Sequence, residues 1–102
     1  MINIKYTHHD VEYVFTEITE NSLWKWSKIV NENKYTMTLI NLIDQENPEW
    51  IGNVHVKTSD NATIIFEQRK ITSINLLIKR LVEYMLRVQL IYKPVQKESI
   101  LT

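Results

Sequence analysis

The sequence predicts an α+β fold made of two β-hairpin-plus-helix (ββα) units packed around one core. Three patterns carry that expectation: paired segments in which apolar and polar residues alternate, an apolar stripe at helical spacing beginning near Thr72, and a constant offset of 50 residues between the two halves. Unit one is expected over about 2–43, unit two over about 50–93, and a flexible tail over 94–102, all in a single domain.

Each element has its own signal. Ile2, Ile4 and Tyr6 alternate with Asn3 and Lys5, and Val11, Tyr13 and Phe15 alternate with Glu12 and Thr16, so two strands flank a turn at Thr7-His8-His9-Asp10. Thr19 or Asn21 then caps a short helix whose core side is Leu23, Trp26 and Val30, and Asn31-Glu32-Asn33 ends it. Residues 35–43 are Thr- and Ile-rich and become apolar throughout, as in a central strand covered on both faces. Asp44 to Glu49, with Pro48, is a loop. Trp50, Val54 and Val56 alternate with Asn53, His55 and Lys57, and Ile64-Ile65-Phe66 completes a second hairpin after Thr58-Ser59-Asp60-Asn61.

From Thr72 onward, Ile74, Leu77, Ile78, Leu81, Val82 and Met85 recur at the spacings of one helix face. Thr72 or Ser73 is the N-cap, Glu83 and Arg87 form an i, i+4 pair, and Pro94 bars continuation much beyond Lys93. Val88-Gln89-Leu90-Ile91-Tyr92 is β-prone, so residues 86–93 read either as helix or as a short last strand. The offset of 50 lays Asn3-Ile4 on Asn53-Val54, Asp10 on Asp60 and Glu17 on Glu67, and it predicts an internal duplication with a groove along the seam.

Read instead as β-α-β-β-β-α, the chain resembles the ribosome hibernation factors. The resemblance runs through Ile2-Asn3-Ile4, Val11-Glu12, Val54-His55-Val56 and the helix from Ser73 to Leu81. That family holds ribosomal RNA through lysine-rich helices, and the resemblance implies the same here. The first helical segment, however, offers only Lys25 and Lys28, and Asn75 stands where the family has Asp, so the chain is not assigned to it.

Composition limits the chemistry. The 102 residues contain no cysteine, which excludes disulfides, thiolate metal sites and a cysteine nucleophile. The opening MINIKYTHHD lacks the pattern of a secretory signal, and no apolar run reaches the roughly 18 residues of a membrane span. A soluble, cytoplasmic chain is expected. Net charge is zero, which argues against a dedicated nucleic-acid binder, but residues 1–50 carry −4 and residues 51–102 carry +4. The abundance of Ile, Asn and Lys in a short chain points to an AT-rich virus, phage or mobile element, a setting in which a small inhibitor of a host protein is a natural role.

No catalytic motif emerges. His8 and His9 are adjacent and diverge on a strand, His55 lacks a second histidine at ligand spacing, and Glu17 and Glu67 read as the ends of two strands. An enzyme would need a pocket holding His55 or Glu17 with Glu67. The single glycine, Gly52, lies inside a strand and makes no phosphate loop. The expectation is therefore a protein-binding or adaptor domain rather than an enzyme, without metal or cofactor, and able to form a homodimer. Its partner-binding residues are Trp24, Lys28 and Trp50. On a helix, Trp24 points away from Trp26 and lies exposed beside Lys28; if residues 22–27 are extended, both rings share the core face. The alternative is an RNA- or ribosome-associated protein that uses Arg69, Lys70, Lys79, Arg80 and Arg87.

Overall fold

Alternation governs the chain from Ile4 to Ile71, and the result is one continuous sheet. The structure, a computed structural model, describes residues 2–42 and 49–91. Six strands, β1 (Ile4–His8), β2 (Val11–Thr19), β3 (Leu23–Val30), β4 (Asn33–Leu42), β5 (Glu49–Lys57) and β6 (Thr63–Ile71), precede one helix, α1 (Ile74–Ile91). Every strand pairs antiparallel with its neighbours in sequence, giving the order β1-β2-β3-β4-β5-β6. Helix α1 packs on one face of this meander.

This architecture overturns the two ββα units. Residues 23–30, expected as a helix, form β3 and pair along their whole length with β4, from Leu23 opposite Ile40 to Val30 opposite Asn33. With no first helix, the internal duplication fails, and so does the β-α-β-β-β-α order of the hibernation factors. The cause is a degenerate pattern: Leu23, Trp26 and Val30 fit a helix, but Trp24, Trp26 and Val30 also fit period two, and pairing with two neighbouring strands decides the matter. The segment expected to cap that helix is instead a turn, in which Ser22 N donates to Thr19 O at 3.0 Å and Asn21 N donates to the buried Glu17 carboxylate at 3.0 Å.

Both expected hairpins form. The β1–β2 and β3–β4 connections are two-residue loops in which both residues have positive φ, His9 at 47° and Asp10 at 64°, Asn31 at 52° and Glu32 at 69°. That is the mirror-type turn whose twist matches the strands it joins. Between β5 and β6, the Thr58 hydroxyl donates to the Asp60 carboxylate, and Ala62 N donates to Thr58 Oγ1 at 3.0 Å.

Helix α1 begins where the sequence predicts. Ser73 caps it, accepting from Leu76 N at 3.3 Å. It runs on through 86–91, so the described part of the β-prone segment is helical. Val88 extends the buried stripe of Leu77, Ile78, Leu81, Val82 and Met85. The stripe meets Phe15, Tyr35, Met37, Leu39, Val54 and Val56 on the sheet, and these residues form the single core. Across that face the register aligns Trp26, Met37, Val54 and Phe66, and in the next row Trp24, Leu39, Gly52 and Gln68. The opposite face bears the row Thr16, Lys25, Thr38, Asn53, Glu67, so β4 is central but carries a helix on one face only.

The Glu83–Arg87 ion pair is not formed; among the described residues the salt bridge is Arg69–Glu67, at 3.0 Å. Glu49, expected in the loop, opens β5. The rest of that loop (43–48), residues 92–93 and the tail 94–102 lie outside the described residues. Among the described residues no helix is long and apolar enough to cross a membrane.

Candidate functional site

The helix meets the sheet tightly at Gly52. A Cβ there would lie 2.8 Å from Leu77 Cδ1 and 2.8 Å from Leu81 Cδ1, so the missing side chain is what lets the first half of α1 approach β5. The second half of α1 reaches β2 and β3 without closing on them. A cleft of about 320 Å³ remains between them, walled by Val11 and Tyr13 of β2, Trp26 and Val30 of β3, and Met85 and Leu86 of α1. Glu12, Lys28 and Gln89 add polar atoms to it. An adjoining hollow of about 360 Å³ lies between Val30, Leu86 and Leu90.

The walls of the cleft are fixed by packing. Tyr13 meets Trp26 edge to face, ring centroids 5.4 Å apart, and Met85 is buried beneath them. Burial pushes the Tyr13 phenol above its usual 10.0, so the ring stays neutral. Lys28, in phase with Trp26 and Val30, is the cleft's charged side chain on the helix side of the sheet, whereas the Glu12 side chain alternates with Val11 and Tyr13 onto the other face. Apolar residues of the cleft and its adjoining hollow are open to solvent: Val11 is 52% exposed and Leu90 66%. Such a surface, apolar inside with a few placed polar groups, suits a protein side chain or a short segment of chain.

Of the three expected partner-binding residues, Lys28 alone lines this cleft. Trp24 is 6% exposed and belongs to the core, with its indole Nε1 donating to Ile2 O at 3.0 Å. Trp50 is half-buried and packs on Trp24 with ring centroids 5.4 Å apart. Trp24 therefore lies toward the β2–β3 turn, about 13 Å along the strand from Lys28 at the usual rise per residue, and Trp50 lies farther along in the same direction. The expected roles of the tryptophans are exchanged because β3 is a strand: Trp24 and Trp26 share the helix-facing side, and Trp26 is the one at the cleft.

The five basic residues of the alternative reading lie on β6 and α1. Arg69 is engaged by Glu67, and Arg80 Nη1 donates to Gln68 Oε1 at 3.1 Å. Lys70 sits at a positive φ of 59° near the end of β6, and Lys79 and Arg87 are exposed on α1. Glu17 is buried on the helix side of the sheet, whereas His55 and Glu67 lie on the opposite side, so these three do not converge. The His8 and His9 rings meet edge to face at 4.2 Å. Among the described residues no group of three or more His, Asp or Glu side chains converges as metal ligands do.

No known family model matches this chain, and neither a curated protein nor a solved structure is significantly similar to it. Its class is thus defined by architecture alone: a six-stranded antiparallel meander with a C-terminal helix on one face. Among the described residues, this architecture leaves open the cleft between α1 and the β2–β3 hairpin.

Proposed function

We propose that this chain is a small protein-binding domain that docks its partner in the cleft between α1 and β2–β3. The observation that carries this reading is the set of apolar side chains left uncovered where the helix and the hairpin diverge, Val11, Trp26, Val30, Leu86 and Leu90, with Lys28 beside them. Aromatic rings in a partly desolvated pocket are where binding energy concentrates in protein interfaces. The setting in this reading is the cytoplasm, in keeping with a chain without cysteine.

The test uses the full chain as bait, beside variants matched to it in thermal stability. Leu90→Asp and Lys28→Glu alter the cleft, while Lys25→Ala and His55→Ala alter the opposite face of the sheet. The reading expects one protein captured by the wild type, lost with the cleft variants and kept with the others. Capture that ignores the cleft variants, or that disappears with nuclease and with neutralisation of Arg69, Lys70, Lys79 and Arg80, would instead favour the nucleic-acid reading.

A further inference from the structure

We infer that the edge of β3 left open at the cleft takes up an extended segment of a partner protein as an added strand. The inference rests on the protein-binding reading above and names the form of the partner. The two-residue loop after β3 fixes which backbone groups are involved. Residues flanking such a loop exchange both hydrogen bonds, so Val30 bonds to Asn33 of β4 and, by alternation, Lys28 and Trp26 bond to β4 as well. Lys25, Ser27 and Ile29 therefore turn their N–H and C=O groups toward β2. Thr16 takes Lys25, and there the β2–β3 ladder stops. β4 nevertheless holds β3 in register through to Val30, so Ser27 and Ile29 present a fixed row of two donors and two acceptors with no partner residue in β2.

The cause lies in β2. Glu17 pairs with Trp24 and Thr19 with Leu23, which leaves Ile18 as the extra residue of a bulge. A bulge bends its strand and sharpens the local twist. The β1–β2 hairpin swings away from β3 accordingly, and the cleft of about 320 Å³ opens beside Val11 and Tyr13 on one strand and Trp26 and Val30 on the other. An unpaired strand edge is a template for a further strand. A lone side chain or a helix face would leave these four backbone groups unmatched, whereas an extended backbone satisfies them. The side chains specify the segment further. A strand aligned on Ser27 and Ile29 sets one residue opposite Lys28 on the helix side, and the residues two positions to either side of it lie against Trp26 and Val30. Lys28 forms no ion pair among the described residues. The matching segment therefore has an acidic residue flanked, two positions away on both sides, by apolar ones that enter the space beside Tyr13, Met85 and Leu86.

The test selects a phage-displayed library of short linear peptides on the full chain, then follows the most enriched peptide, synthesised, by calorimetry and by amide hydrogen exchange of the wild type. Enriched sequences are expected to carry the acidic residue with its flanking apolar pair. On binding, the amides of Ser27 and Ile29 should exchange about tenfold more slowly or better. Ile29→Pro removes one outward donor and leaves the β4 ladder intact. It should weaken binding about tenfold, against little change for Ile29→Ala, whose side chain lies on the other face and is 70% exposed. The exchange measurement needs no variant, so it answers the question even where the proline unfolds the chain. A selection that enriches no peptide overturns the inference, as do bound peptides that leave the two amides exchanging freely. Protection of these amides that grows with protein concentration in the absence of peptide overturns it in favour of a second copy of the chain. If the inference fails but the cleft variants still lose a captured protein, the protein-binding reading stands; if neither assay responds to the cleft, that reading falls too.

Discussion

Replacing Gly52 with Ala measures how closely α1 approaches the sheet. The new Cβ would stand 2.8 Å from Leu77 Cδ1, 2.8 Å from Leu81 Cδ1 and 3.0 Å from Leu77 Cγ. Carbon atoms prefer about 3.5–4.0 Å, so the methyl intrudes on two side chains at once. Neither can swing aside, because Leu77 and Leu81 are both fully buried. Overpacking of this kind costs about 1–3 kcal/mol. Alanine recovers part of that, roughly 0.5–1 kcal/mol, because it has less freedom than glycine in the unfolded chain. A net loss of about 1–2 kcal/mol is expected, read by urea denaturation at unchanged m-value. The same substitution in a Leu77→Ala background should cost less, because the contacts with Leu77 are gone and Leu81 can give way into the cavity left behind. A Gly52→Ala variant as stable as the wild type would refute the close approach, and with it the reason the helix is seated on β5.

Three further expectations concern other parts of the fold. Trp24→Ala should cost about 3–5 kcal/mol of stability as a buried ring is truncated, and Trp26→Ala, at the cleft wall, should cost less and weaken association more; thermal melts beside sedimentation separate the two. Glu32→Gly should stabilise by about 0.5–1 kcal/mol: relief of left-handed strain at a φ of 69° exceeds the added freedom of glycine in the unfolded chain, and chemical denaturation reads the difference. The Asp60 carboxyl is held below its usual 3.8, first by the hydrogen bond from the Thr58 hydroxyl and then by the backbone of Ala62. A folded-state pKa below the unfolded one favours the fold above the unfolded value. The advantage of wild type over Asp60→Asn should therefore be present at neutral pH and fade as pH falls below that value, as melts across an acid series would show.

What the sequence disclosed depended on whether a pattern was local. The stripe from Ile74 to Met85 repeats often enough to exclude a strand, and Thr72 or Ser73 marks its start, so that part of α1 was legible, whereas 86–91 were not, because their β-prone residues fit a short strand as well. The two flanking hairpins were legible for the same reason, through strict alternation and short turns. β3 was not, because its eight residues satisfy both periods and the choice is made by β2 and β4, which lie outside it. The apparent duplication failed with it, its helical half having rested on that one segment. Lys28 was picked out for a role beside Trp24, yet it stands opposite Tyr35 at the other end of β3. The cleft itself had no sequence signal, since its walls join residues 11–30 to residues 85–90, and only the path of α1 brings them together.

The strictly sequential order of the strands also sets the order in which the protein can be made. Each pairing joins segments adjacent in the chain, so the sheet can zip hairpin by hairpin with little loop entropy to overcome. Its cover arrives last. Until α1 has left the ribosome, Phe15, Met37, Leu39, Val54 and Val56 form a bare apolar surface bounded by unpaired strand edges, a combination that invites aggregation. A chain cut short before Ile74 keeps all six strands and loses six of the fourteen buried core residues, so the harm done by such a truncation would be insolubility rather than a weaker version of the same molecule.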